Sequence, residues 1–327
     1  MTDQSLMSDA ALEAACDAAL RDEAAAITAF AAAETREIAT AARKIAGSHA
    51  PLIVAGIGKS GHIAGKIAST FRSIGKSAIF LHAAEASHGD LGLVADESVV
   101  LILSNSGETT ELSDLIHYCR VHGNAIIALT ATRESTLARA ADLTIAYGPV
   151  TEVCPNGLAP TTSTTLQLAI GDALAVGVTH LLGTAADDFR RYHPGGKLGT
   201  ALLKVRDLMH TGAALPFVAP DAAMSETVAV MAEKALGVAL VWDGKDVTGI
   251  ITDGDMRRHA ERLWEARAGD IATPDPVWIA SDARATEALA LMTRTGNGIT
   301  SCLVREPGGA FAGFLHIHDC LRAGVVA

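Results

Sequence analysis

The chain has 327 residues, 49% of them hydrophobic, 19% charged and 4% aromatic, and carries a net charge of −11 at pH 7. That length and apolar content support two or three folded domains and exclude global disorder. The negative balance and scarcity of rings argue against nucleic-acid binding, whereas a local cradle can still hold a small phosphorylated substrate.

The start, MTDQSLMSDAALEAACDAAL, is acidic and lacks the basic end and apolar core of a signal peptide. No run of 18 uninterrupted apolar residues follows, so the expectation is a cytoplasmic chain with no membrane segment. Five scattered cysteines (Cys16, Cys119, Cys154, Cys302, Cys320) form no CxxC pair and read as buried free thiols. From Asp9 to Gly47 the chain is dense in Ala, Leu, Glu and Arg, with no proline, which predicts one long helix for packing or oligomerisation.

From Pro51 short apolar runs alternate with helical patterns. Strands are predicted at Leu52–Gly56, Ser77–Phe80, Ser98–Ser104, Asn124–Thr130 and Leu143–Tyr147, with a long apolar helix from Thr162 to Leu182. Such alternation implies βαβ crossovers and a doubly wound, five-stranded parallel sheet in an α/β domain. Ligands of these sheets sit beyond the carboxyl ends of the strands. Beyond Lys204 the sequence repeats itself: aligning Gly249 with Gly313 places Asp255 over Asp319 and Arg258 over Arg322. Two βαββα units burying their faces on each other are predicted there. Asp255 and Asp319 read either as ligands for a ribose or phosphate or as helix caps.

Two segments and a set of scattered ionisable residues hold the chemistry. Gly56-Ile57-Gly58-Lys59-Ser60-Gly61 follows a strand and opens a helix, a geometry suited to an anion. It lacks the Walker A spacing, and Leu81-His82 stands where a dinucleotide fold needs an acidic residue; a plain tight turn is the other reading. Ser104-Asn105-Ser106-Gly107-Glu108-Thr109-Thr110 forms a second hydroxyl-rich cradle after the third strand, and the two should converge on one crevice. His82, His88, Glu111, Glu152 and His193 add ionisable groups, most of them at predicted strand ends. His316-x-His318 offers two metal ligands without a third.

GIGKSG, HGDLG, SNSGET, CPNGLAPTTSTT and HPGGKLG, in this order, resemble the sugar isomerase (SIS) domain of D-arabinose-5-phosphate isomerases, and the C-terminal repeats resemble a tandem pair of CBS domains. The resemblance implies a helical segment at 1–47 packed on an SIS domain at 48–203, with CBS repeats at 204–268 and 269–327. It implies interconversion of D-ribulose 5-phosphate and D-arabinose 5-phosphate through a cis-enediol, with no cofactor required, in supply of Kdo for lipopolysaccharide. Lys59, Glu111, Glu152 and His193 match the family's catalytic positions. Glu111 or Glu152 would be the carbon-proton base, its pKa raised by desolvation, Lys59 would stabilise the enediolate, and His193 would assist ring opening. Ser60, Ser104, Ser106 and Thr109 would hold the phosphate, with His82 and His88 beside the substrate and able to take zinc only as an inhibitor. Family members form homotetramers, and His193 is the candidate for donation between subunits; the CBS pair would take an unidentified ligand. The alternatives are an isomerase of another phosphosugar, or a sugar-phosphate sensor without catalysis.

Overall fold

The computed structural model describes residues 7–33, 35–184, 186–193, 196–294 and 298–326; the first six residues of the acidic start and residues 194–195 of HPGGKLG lie outside these. The chain divides into two compact units, Met1–Tyr192 and His193–Ala327.

In the first unit, strands β1 (Leu52–Gly56), β2 (Ala78–His82), β3 (Val99–Leu103), β4 (Ala125–Thr130) and β5 (Leu143–Ala146) form one parallel sheet in the order β2-β1-β3-β4-β5. Its strands read as continuous apolar runs because both faces are covered. Leu52, Val54, Leu101 and Leu103 point to one core, while Ile53, Ala55, Val100 and Ile102 point to the other. This is the period-two alternation of a pleated strand. On the first face lie α1 (Asp9–Ala33), α2 (Thr35–Gly47), α3 (Gly58–Ser73) and the long helix that enters at Thr162; on the second lie α4 (Ala83–Ala86), α5 (Ser113–His122) and α6 (Thr136–Ala140).

The helix that enters at Thr162, α7 (Thr162–Leu182), has the predicted bounds. It is long and apolar enough, by length and composition, to cross a membrane. Here Leu166, Ile170, Leu174, Ala175 and Val178 are instead buried in the core with Ile45, Ile67 and Phe71. Gly171 and Gly177 supply the close approaches, to Ile67 of α3 and Ala42 of α2 respectively. Lys66 of α3 also pairs with Asp172 of α7 across the exposed edge of this contact.

Within the segment predicted as one long helix, helical residues are described at Asp9–Ala33 and Thr35–Gly47, with residue 34 outside the described residues, and both stretches contact α7. One predicted element changes. The second strand, expected at Ser77–Phe80, runs on to His82, because Leu81 and His82 continue the pairing with Ala55 and Gly56. Of the thiols, Cys119, Cys302 and Cys320 are buried as expected, whereas Cys16 is exposed and Cys154 only half-buried.

The second unit contains both repeats. The first runs β6 (Phe217–Val218), a helix at Met224–Lys234, β7 (Val238–Trp242), β8 (Val247–Thr252) and a helix at Asp253–Arg258, with β9 (Thr273–Pro274) added at the edge of its sheet. The second runs β10 (Trp278–Ala280), a helix at Ala285–Arg294, β11 (Ser301–Arg305), β12 (Phe311–His316) and a helix at Ile317–Arg322. Asp255 and Asp319 occupy equivalent positions, each in a capping box with the residue three before it and each bonded to the arginine three after it. Asp255 also accepts from the Thr273 hydroxyl, and Asp319 lies 2.9 Å from His210 Nε2. Every carboxylate oxygen of the pair is engaged, which supports the capping reading over a free ribose ligand.

Substituting Gly171→Ala would drive a Cβ into the Cδ1 and Cγ1 atoms of Ile67. Urea unfolding of that variant should show a loss of about 1–3 kcal/mol relative to wild type.

Candidate active site

The β2-β1-β3 order puts β1 beside β3, and the helices after these two strands depart to opposite faces of the sheet. The switch leaves a crevice beyond their carboxyl ends. A cavity of about 260 Å³ lies there, lined by Ile57, Lys59 and Ser60 from the first turn, Leu103–Ser106 and Thr109 from the second, and Pro160 and Ser163 before and within α7. Both predicted cradles therefore meet in one site. A larger groove of about 590 Å³ runs between Phe30 of α1 and Ala131–Glu134, but it contains none of the residues singled out in the sequence.

The glycines of the first turn are required by its tightness. A Cβ on Gly56 would lie 3.0 Å from the Ser60 carbonyl, one on Gly61 would lie 3.1 Å from the Gly56 carbonyl, and Gly58 has φ +57°. No side chain caps the start of α3, so its leading N–H groups face the cavity end of the turn. In the second turn the Ser104 hydroxyl is buried, accepts from the Gly107 N–H at 3.0 Å and lies 2.8 Å from Thr109 Oγ1. Ser106 Oγ accepts from the Glu108 N–H at 3.2 Å. Glu108 itself turns away, its carboxylate accepting from the Thr136 N–H and hydroxyl at 2.8 and 2.6 Å. Those bonds hold its pKa below the usual glutamate value and tie the loop to α6.

Asn105 was not among the expected site residues, yet it lines the cavity. Its Oδ1 accepts from Tyr147 Oη at 2.7 Å, and Tyr147 Oη accepts from Gln167 Nε2 at 3.2 Å. With Oδ1 so occupied, the amide group's two N–H donors remain for the site. Burial pushes the Tyr147 phenol up to about 12, so it stays a neutral donor.

Glu152 stands behind the α7 end of the cavity. Its Oε2 accepts from the Thr161 N–H at 2.7 Å, the Thr161 hydroxyl at 3.0 Å and the Ser163 N–H at 3.2 Å, so it caps α7 from outside the helix. As one of the two candidates for the carbon-proton base it would carry a raised pKa, and the shift runs the other way. Burial does push the carboxyl up, but the bonds from Ser163 and Thr161 together outweigh it and hold the group below the ordinary value of 4.5.

The other expected residues are less gathered. Lys59 is exposed at the cavity rim. Glu111 is exposed in the turn before α5, accepts from the Thr110 hydroxyl at 3.1 Å and does not line the cavity, so desolvation is not its condition within one chain. His82 ends β2, half-buried, with its Nδ1 buried and unpartnered; His88 is exposed. Among the described residues no three His, Cys, Asp or Glu side chains gather as metal ligands, so neither histidine is joined into a site for zinc. His193 opens the second unit and is half-buried. Ser163 and Asn105 were the residues not anticipated; both lie in runs of short polar side chains, the signal that marked Ser104–Thr109.

The chain matches the SIS domain family over residues 44–177 and the CBS domain family over 205–262 and 268–325. It is 42% identical over 283 residues to arabinose 5-phosphate isomerase KdsD of Yersinia pestis, covering 85% of each chain. It is 43% identical over 280 residues to KdsD of Escherichia coli K12, covering 84% of each. An Escherichia coli CFT073 protein solved in complex with arabinose 5-phosphate aligns at a TM-score of 0.56 with 35% identity, covering 57% of this chain and 100% of that one.

Tyr147→Phe removes the donor that fixes Asn105, and KM for the sugar phosphate should rise about 2- to 10-fold with little loss of kcat. An unchanged KM would show that Asn105 needs no such anchor. For Glu152 the folded pKa lies below the unfolded one, so its contribution to stability is full above the ordinary value of 4.5 and is lost as pH falls through the folded value. Thermal melts of Glu152→Gln should therefore vary less with pH below 4.5 than those of wild type.

Proposed function

The chain belongs to the arabinose 5-phosphate isomerase family, and from that premise we propose that its crevice interconverts D-ribulose 5-phosphate and D-arabinose 5-phosphate. The observation that carries this reading is the convergence of Lys59 and Ser60 with Ser104, Ser106 and Thr109 on one cavity at the sheet's switch point. Hydroxyls and free N–H groups there match a phosphate dianion in a protein of net charge −11.

The reaction moves a carbonyl between C1 and C2. A base takes the proton on the carbon beside the carbonyl, the released electron pair forms the C1–C2 double bond, and the carbonyl oxygen gains a proton to give the cis-enediol. Reprotonation at the other carbon, with loss of the other hydroxyl proton, completes the exchange. Electrons never leave the substrate, so the chemistry requires no cofactor. The Lys59 ammonium opposes the charge developing on the enediolate. Glu111 takes the carbon-bound proton, because Glu152 is committed to three donors at the head of α7 that hold its pKa below the ordinary value. Glu152 contributes by holding the wall that carries Pro160 and Ser163.

In this reading Glu111, exposed in a single chain, is covered on assembly into a homotetramer. His193 is donated between subunits to open the furanose ring, and His82 and His88 border the sugar. The CBS pair binds a regulatory ligand, and the enzyme works in the cytoplasm, supplying Kdo and lipopolysaccharide synthesis.

Incubation with D-ribulose 5-phosphate in heavy water containing EDTA, followed by proton NMR, should yield arabinose 5-phosphate bearing deuterium at C2. No conversion despite measured binding of the sugar phosphate would overturn the activity. Glu111→Gln should bind substrate with near wild-type affinity and lose at least about 100-fold in kcat; full turnover in that variant removes Glu111 as the base. Mixed His193→Ala and Lys59→Ala subunits should recover activity through hybrid sites, and no recovery despite subunit exchange would rule out donation.

A further inference from the structure

The run Thr161-Thr162-Ser163-Thr164 places four hydroxyls around the first turn of α7, and three are consumed locally. Thr161 Oγ1 donates to Glu152, Thr162 Oγ1 accepts from the Val153 N–H at 3.2 Å, and Thr164 Oγ1 donates to the Thr161 carbonyl at 2.9 Å. Ser163 differs from all three. Its side chain has no exposed surface, its Oγ has no hydrogen-bond partner, and it lines the cavity. The hydroxyl is close enough to Glu152 to help lower the carboxyl pKa, but the pair lacks hydrogen-bond geometry. Its own N–H is already spent on Glu152 at 3.2 Å, which fixes the backbone that carries the hydroxyl.

An unpaired hydroxyl without access to bulk water is costly to maintain, and a partner arriving in the cavity would relieve it. The partner's chemistry follows from position. Ser60, Ser104, Ser106 and Thr109 line the cavity from the two phosphate cradles, and Ser163 lines it from the separate wall made by α7. A ligand anchored by its phosphate at the cradles would extend its carbon chain toward α7. We propose that Ser163 is a substrate-binding residue whose hydroxyl hydrogen-bonds a sugar hydroxyl of the bound pentose phosphate. This assignment rests on the isomerase reading of the site. Ser163 thereby contributes recognition of the polyol that the phosphate cradles cannot supply. Glu152 is the positioning residue behind it, because its Oε2 holds both the Thr161 and Ser163 N–H groups.

The test is Ser163→Ala, with inorganic phosphate as a probe of the cradles alone. KM for arabinose 5-phosphate and ribulose 5-phosphate should rise about 3- to 10-fold, the worth of one neutral hydrogen bond. The inhibition constant of inorganic phosphate should stay within about 2-fold of wild type. The melting temperature should hold or rise, since an unpaired buried hydroxyl has been removed. Unchanged KM values would overturn the assignment. So would a fall in melting temperature with parallel weakening of phosphate, which would mark Ser163 as part of the framework. If wild type binds the sugar phosphate but does not isomerise it, the isomerase reading fails on its own. Calorimetric affinities of wild type and Ser163→Ala for arabinose 5-phosphate then decide Ser163: a 3- to 10-fold difference supports the contact, and equal affinities overturn it.

Discussion

The divergence of the chain after β1 and β3 is the constraint on which the site depends. These strands are neighbours, yet α3 packs into the core with α7 while α5 packs into the opposite one. Two strand-to-helix turns side by side, parting in opposite directions, leave a gap no side chain fills. Everything placed there is a consequence of where the turns sit. GIGKSG must be glycine-rich because the Gly56 and Gly61 backbones meet at van der Waals distance. Gly107 has φ +67°, and a Cβ there would collide with Ser135, so the second turn is held to glycine by the helix start beside it.

The same short polar side chains serve two purposes, and hydrogen-bond accounting separates them. Ser104, Ser106, Thr162 and Thr164 spend a hydroxyl on the local backbone and Thr161 spends its own on Glu152, while the Ser163 hydroxyl has no hydrogen-bond partner. Carboxylates divide in the same way. Glu108 and Glu152 are both held below the usual glutamate range by backbone and hydroxyl donors, one tying its loop to α6 and the other capping α7. Asp255 and Asp319 do equivalent work in the two repeats of the second unit, each joined to a capping box and an arginine. An acidic residue near a helix start is thus, at Glu108, Glu152, Asp255 and Asp319, a holder of backbone rather than a free reagent.

The amino-acid sequence by itself determined the parallel sheet, the place of its site and the repeat. Strands buried on both faces read as unbroken apolar runs, so β1, β3 and β4 lay within a residue of their predicted bounds, and α7 matched at both ends. The two phosphate-type turns were legible because glycine and hydroxyl density are local properties. Likewise the 64-residue offset between Asp255 and Asp319 is a repeat in one dimension before it is one in three.

Tertiary structure decided what depends on distant neighbours. Glu152 was one of two candidates for a base with a raised pKa; the donors that lower its pKa come from the start of α7, nine to eleven residues on, and no spacing rule reveals that they converge on one oxygen. Asn105 gains its orientation from Tyr147 and Gln167, 42 and 62 residues away along the sequence. Ser163 is distinguished from Thr161, Thr162 and Thr164 by the partner its hydroxyl lacks, which only the folded arrangement of its neighbours decides.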